Sequence, residues 1–301
     1  MDYIFKYTEF LKKHIDVKRP LKVVCDTSNG TASIVLQQLV GVPNLQLIFI
    51  NNNPDPEFPA HGPNPLIAGA TDMLSEKVLE NNADFGVAFD ADGDRAFFVD
   101  DRGKLLPSYI AAAIWFNNST PPFIADELVY LSLTTSGIFN TQQIIPAKVG
   151  AIFVKEEMQK NNAVLGAEFS GHFYFKDFFG LDSGIFSLIY MANILSNQDK
   201  TLAQLHTNFS RQILINSNIQ FQNSTKEKIL EAVKKETSSI TKTVSEREGL
   251  TLITENGWIN VRTSNTEPLV RISIGSKTKD LADHDMAIIT NIVQNTDGRA
   301  S

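Results

Sequence analysis

FGVAFDADGDRAFFVD occupies residues 85–100, and its reading sets the fold. Residues 85–90 and 96–100 are apolar runs that read as strands. Between them lies Asp90-Ala91-Asp92-Gly93-Asp94-Arg95, with carboxylates on alternate residues and an arginine directly after. Carboxylates packed so closely repel one another unless a cation sits between them. Hard divalent cations take such oxygen ligands, and Mg²⁺ keeps part of its shell for water and phosphate. Arg95 adds a fork of donors suited to a phosphate oxygen. Asp90, Asp92, Asp94 and Arg95 therefore read as the start of a phosphoryl-transfer site. A solvated acidic turn is the plainer reading. An EF-hand is excluded. Its loop wants Gly sixth and Glu twelfth, where this chain has Arg95 and Asp101, and a strand precedes it rather than a helix.

Working back from this stretch, 70–82 reads as a helix and 45–50 and 21–25 as strands. DTSNGT, 26–31, is a polar turn into a helix over 32–40, and 3–14 is an amphipathic helix. That turn can offer backbone N–H groups to an anion, and a plain βα loop explains it as well. Five prolines between Pro54 and Pro65 make 51–66 an extended surface loop, in which His61 reads equally as an exposed residue. Strands alternating with helices predict an α/β layer.

Forward of it the rhythm repeats. Helices are predicted over 109–116, 152–160, 183–195 and 202–209, and strands over 128–133, 143–145 and 164–167. GAEFSGHFYFKDFFGLDSG, 166–184, puts Glu168, Ser170 and His172 on alternate positions. In an extended segment these share a face and suit sugar hydroxyls; an ordinary polar hairpin edge is the alternative. The last stretch shows strands over 213–221, 250–254, 258–261 and 269–274, with helices over 226–240 and 281–293, a small α+β pattern. Its RTSNTEPLVR, 262–271, sets Arg262 and Arg271 around Ser264, Asn265 and Thr266. Such a loop cradles phosphate or carboxylate, unless its arginines merely pair with acids on a surface hairpin. The fold class expected is α/β, with two consecutive mixed-sheet domains (1–105 and 106–209) followed by a small α+β domain (210–301).

Composition bounds the function. The 301 residues are 43% hydrophobic with net charge −7, which argues against a general nucleic-acid or anionic-membrane binder. One cysteine, Cys25, excludes an internal disulfide, fits a reducing compartment and reads as a buried inert thiol. No apolar run approaches the ~20 residues of a membrane span, and the first residues do not form a signal peptide. A cytoplasmic protein is expected.

DADGDR, GAEFSGH and RTSNTEP together resemble the α-D-phosphohexomutase family, which includes phosphomannomutases and phosphoglucomutases. They look like its metal loop, sugar-specificity loop and phosphate-binding loop, in the family's order; FPAHGPNPL resembles the stretch ahead of the metal loop. The similarity spans essentially all 301 residues but only the family's second, third and fourth domains. The first, which carries the phosphoserine that hands over the phosphoryl group, has no counterpart before Tyr3. The family usually shows a lysine around Leu133 and a histidine at Ala151; Lys148 is retained.

The resemblance implies phosphoryl movement between the 1 and 6 positions of a hexose phosphate through a hexose 1,6-bisphosphate. Asp90, Asp92 and Asp94 would hold Mg²⁺, with Arg95, Lys148 and His172 in the catalytic cleft. Glu168 and Ser170 would bind sugar hydroxyls; Arg262, Ser264, Asn265, Thr266 and Arg271 would grip the other phosphate. It also implies a chain inactive by itself, completed by a separate chain bearing the phosphoserine domain, and a surface sticky enough to form a homodimer. A non-catalytic phosphosugar-binding or regulatory protein, or a truncated fragment, are the alternatives.

Overall fold

The computed structural model describes residues 2–264 and 267–298. The chain forms two compact units: one comprises the residues up to Val129 with Gln142–Phe209, the other Tyr130–Thr141 with the residues from Ser210 onward.

The first unit contains two sheets. The first is built from the run α1 (Tyr3–Lys13), β1 (Leu21–Asp26), α2 (Ala32–Leu36), β2 (Leu45–Ile50), α3 (Asp72–Glu80), β3 (Phe85–Phe89) and β4 (Ala96–Asp100), with the strand order β2-β1-β3-β4. β1 runs parallel to β2 and β3, and β4 returns antiparallel to β3. After α4 (Ser108–Asn117) come β5 (Phe123–Asp126), α5 (Glu127–Thr135, counted with the second unit from Tyr130 on), β6 (Ile144–Ala147), α6 (Ala151–Asn161), β7 (Leu165–Ala167), β8 (Phe173–Phe175) and β9 (Leu181–Asp182), the strands ordered β6-β5-β7-β8-β9. Again the first strand lies between two parallel neighbours, and an antiparallel strand follows. The faint rhythm of the sequence is thus a repeated topology. α7 (Gly184–Ser196) and α8 (Leu202–Phe209) complete the unit.

Packing repeats as well. Every residue of β3 is buried, as parallel strands covered on both faces require. Gly86 in β3 lets α3 lie close: a Cβ there would stand 2.6 Å from Val78 Cγ2. Gly166 in β7 does the same for α6, where a Cβ would stand 2.9 Å from Val154 Cγ1 and Met158 Sδ. α4 is buried from Ser108 to Phe116, because it is packed between the two sheets. Its Trp115 ring meets Phe98 of β4 edge-on at 5.8 Å and Phe173 of β8 at 4.4 Å. That ring locks one sheet to the other.

The strand expected over 128–133 is instead the helix α5. The apolar run LVYLSL fits either element, and length alone cannot decide. The deciding residue is Asp126, which ends β5 and whose Oδ1 accepts the Val129 N–H (2.8 Å), capping the helix start.

In the second unit β10 (Ile213–Gln220), α9 (Lys226–Glu236), β11 (Thr243–Ser245), β12 (Leu250–Ile253), β13 (Gly257–Thr263), β14 (Leu269–Ser276) and α10 (Lys279–Gly298) follow in turn. The strands form an antiparallel sheet, β10-β14-β13-β12-β11. Ile229, Val233, Ile289 and Val293 of the two helices pack on Ile259, Val261, Ile272 and Ile274 of one sheet face, the predicted α+β layer.

Where β4 ends, Asp100 is 1% exposed. Its carboxylate accepts the N–H groups of Arg102 (2.9 Å) and Lys104 (3.0 Å) and bonds His206 Nδ1 of α8 (2.8 Å). Burial pushes this carboxyl up, but His206 and the two amides outweigh it and hold it below the usual carboxylate range. A depressed folded pKa stabilises above the unfolded value, and that stability is lost as pH falls through the folded value. Asp100→Asn is expected to cost about 2–3 kcal/mol in urea unfolding at neutral pH. It should also shrink the gap between variant and parent as the medium is acidified below the ordinary carboxylate range.

Candidate active site

Residues 90–95 form the hairpin turn between β3 and β4, and four other segments hold the backbone of the turn and of Ala96 just after it. Ala91 N–H donates to Pro63 O (3.1 Å), and Ala91 O accepts Thr31 N–H (2.9 Å). Gly93 O accepts Gly184 N–H (3.0 Å), and Ala96 N–H donates to Gly171 O (3.1 Å). The approach is close: a Cβ at Gly184 would lie 2.4 Å from Arg95 O, so a bare backbone is needed there.

Within the loop, Asp90 is 3% exposed. Its Oδ1 accepts Gly93 N–H and Arg95 N–H (both 3.2 Å), and its Oδ2 accepts Arg95 Nε–H (2.5 Å). Burial raises this carboxyl above its ordinary range, with Arg95 opposing and the Asp94 charge adding to the rise. Asp94 is held low, chiefly by its hydrogen bond to His172. Asp90, Asp92 and Asp94 each offer an oxygen within 4.8 Å of the others. Asp94 Oδ1 is shielded from solvent and has no hydrogen-bond partner. An all-oxygen set with one buried, unsatisfied oxygen fits a hard divalent cation.

The second loop lies against the first. Residues 168–172 are not extended, as the alternation suggested, but form the turn between β7 and β8. Glu168 N–H donates to His172 O (2.9 Å), and Gly171 N–H to Glu168 O (3.1 Å). The turn still gathers the three predicted side chains. His172 Nδ1 shares a hydrogen bond with Ser170 Oγ (2.8 Å) and lies 3.6 Å from Glu168 Oε2; its Nε2 is 3.3 Å from Asp94 Oδ2. Burial pulls the His172 pKa down, but Asp94, with Glu168 and Asp182, outweighs it and holds it above its ordinary value. Arg95 and His172 pair as an isolated antiparallel bridge, so the two turns join by backbone as well as side chain.

Glu168 is 2% exposed and anchored on both oxygens, by Gly150 N–H at the start of α6 (2.6 Å) and by Tyr174 O–H (2.6 Å). The helix N-terminus stabilises that carboxylate. Lys148 stands apart, exposed, with its ammonium 5.8 Å from the Phe153 ring centre. Asp182 was not singled out from sequence, yet it comes within 4.8 Å of ligand atoms on Asp94 and His172 and pairs with Lys155 (3.3 Å). The Asp-Ser-Gly at the start of α7 was the available signal.

His61 is not merely exposed: its side chain is 10% accessible, and Nε2 bonds the fully buried Asp26 (3.1 Å). Asp26 also accepts Ser28 N–H (2.9 Å) and the Asn51 amide (3.0 Å). The DTSNGT turn and the proline-rich loop thus brace each other beside the acidic turn rather than remaining open.

In the second unit, Arg262 and Arg271 face each other across β13 and β14. Among the described residues neither side chain has an acidic partner. Like charges directly opposed across strands destabilise a sheet, so this pair fits an anion between them. Ser264 is buried, and its backbone O accepts from Lys226 Nζ, a contact sequence reading missed. Asn265 and Thr266 lie outside the described residues.

Mn²⁺ titration followed by electron paramagnetic resonance is expected to give one bound ion per chain. Asp94→Asn should weaken it about tenfold or more, whereas Lys148→Ala should leave it unchanged.

The chain matches three family models: phosphoglucomutase/phosphomannomutase alpha/beta/alpha domain II over residues 2–103, domain III over 126–212 and the C-terminal domain over 217–289. A phosphomannomutase of Escherichia coli K12 is 32% identical over 286 residues, which cover 90% of this chain and 62% of that protein. The chain thus spans less than two thirds of that relative's length. The solved structure of a phosphoglucomutase/phosphomannomutase family protein from Burkholderia thailandensis superposes with a TM-score of 0.82 at 23% identity, covering 99% of this chain and 65% of that one. The Aspergillus fumigatus N-acetylphosphoglucosamine mutase, solved with GlcNAc-6P and magnesium, shares the fold at a TM-score of 0.65 and 14% identity, covering 96% and 68%.

Proposed function

The chain belongs to the phosphoglucomutase/phosphomannomutase family over domains II to IV, and from that premise we propose that it serves phosphoryl transfer between the 1 and 6 positions of a hexose phosphate, with a hexose 1,6-bisphosphate as intermediate. The observation that carries this reading is the meeting of two turns, one rich in carboxylates and one rich in sugar-type ligands, joined by the Asp94–His172 contact.

Asp90, Asp92 and Asp94 would hold Mg²⁺, which when bound offsets the charge of a transferring phosphoryl group. Arg95 spends its Nε on Asp90 and turns Nη1 toward Asn64 (3.5 Å), leaving Nη2 for a phosphate oxygen. Glu168, fixed on both oxygens, has lone pairs left to accept a sugar hydroxyl. Ser170 and His172 supply a hydroxyl and an imidazole on the same side. In the second unit, Arg262 and Arg271 with Ser264, Asn265 and Thr266 would take a phosphate. The functional division is into 1–105, 106–209 and 210–301.

Turnover calls for a phosphoserine domain, in cis or on a separate chain, and these 301 residues alone bind without converting. A homodimer is the further assembly expected, given apolar side chains such as Tyr3 and Phe5 that are 73% and 62% exposed. A cytoplasmic setting fits the buried Cys25 thiol, pushed up by burial and by the Asp26 charge. Among the described residues no helix is long and apolar enough to cross a membrane. The second reading, a phosphosugar binder without catalysis, is favoured by one observation. Where the family usually has a lysine and a histidine, this chain has Leu133, fully buried, and Ala151, the first residue of α6.

Phosphorus NMR of the chain with Mg²⁺, glucose 1-phosphate and a trace of glucose 1,6-bisphosphate tests the reading. Broadened or shifted lines without a 6-phosphate product are expected from the chain alone, with conversion once a relative's phosphoserine domain is added. Conversion by the chain alone would refute the missing-nucleophile account. Continued absence of product after addition would leave the non-catalytic binder standing.

A further inference from the structure

β10, β14 and β13 align three side chains across the second unit's sheet. Asn218 pairs with Arg271, and Arg271 pairs with Arg262. Residues paired across adjacent strands share a face about 5 Å apart. That face is the one α9 and α10 leave uncovered, since Ile215 and Ile219 of β10 point to the helices, while Asn216, Asn218 and Gln220 are exposed. On the other side of Arg262 lies Gly249, where a Cβ would stand 2.8 Å from the Arg262 Cγ, so the arginine stem passes over bare backbone there.

Among the described residues, none of the three side chains of this line has a hydrogen-bond or ion-pair partner. Two guanidinium groups one strand apart suit a phosphate dianion between them. An amide one strand further out lies about 5 Å beyond Arg271, within reach of a hydroxyl on the ester's sugar but past the phosphate itself. An amide both donates and accepts, which is what a hydroxyl offers in return. We propose that Asn218 is a specificity-determining residue of this cradle, separating a sugar phosphate from bare phosphate by bonding a ring hydroxyl. The inference rests on the phosphosugar reading above.

The side-chain amide of Asn218, assigned in a ¹H–¹⁵N correlation spectrum by its loss in Asn218→Ala, reports this directly. Glucose 6-phosphate is expected to shift it. Inorganic phosphate should shift only the Nε–H signals of Arg262 and Arg271. Asn218→Ala should weaken glucose 6-phosphate about fivefold, the size of one hydrogen bond, and leave phosphate within about twofold. If glucose 6-phosphate binds Asn218→Ala undiminished, or if both ligands lose equally, the assignment of Asn218 is wrong while the arginine cradle stands. If neither ligand moves the arginine signals of the unsubstituted chain, the cradle reading fails and takes Asn218 with it.

Discussion

Asp90 keeps a carboxylate where almost no water reaches it, and the architecture around it answers that charge. Burial drives the group toward its neutral form, and Arg95 with two backbone N–H groups of the loop opposes that without cancelling it. Satisfying one carboxylate this way bends residues 90–95 into a tight turn. That bend brings Asp94 to His172 and leaves Asp94 Oδ1 unsatisfied. An unsatisfied acceptor among three neighbouring carboxylates fits a cation, which would meet what the protein alone leaves unmet.

The two turns that meet there have the same origin in the fold. Each follows the last strand of a parallel trio and leads into an antiparallel return, β3 into β4 and β7 into β8. Both therefore start at the carboxyl ends of parallel strands, where α/β sheets leave room for ligands. Asp26 and Asp126 also correspond: each ends the middle strand of its trio and accepts a backbone N–H from two or three residues further on, Ser28 and Val129. Trp115 touches both of the sheets that carry the two turns, and the Arg95–His172 bridge joins the turns directly.

Most of this was readable in the residues. Alternating apolar runs gave the helices and strands around the acidic turn, and two of the loops read from sequence supply the side chains of Asp90, Asp94, Arg95, Glu168, Ser170 and His172 that meet there. The failures have physical causes. LVYLSL is apolar on every side, so neither period shows in it, and the helix is declared only by Asp126 upstream. Glu168, Ser170 and His172 converge by curling rather than by sharing a strand face, which spacing cannot distinguish. His61 was hidden because its partner, Asp26, lies 35 residues earlier, and pairing over such a distance leaves no local trace. Asp182 and Lys226 owe their positions to chain segments that meet only after folding.

The outside contacts on the acidic turn carry a mechanical consequence. A loop hydrogen-bonded to Pro63, Thr31 and Gly184, with Gly171 holding the strand residue just after it, cannot swing without breaking bonds to several parts of its unit at once. It behaves as an anvil, not a gate. A ligand that meets this turn meets a fixed surface, and whatever yields to admit it lies outside the acidic turn.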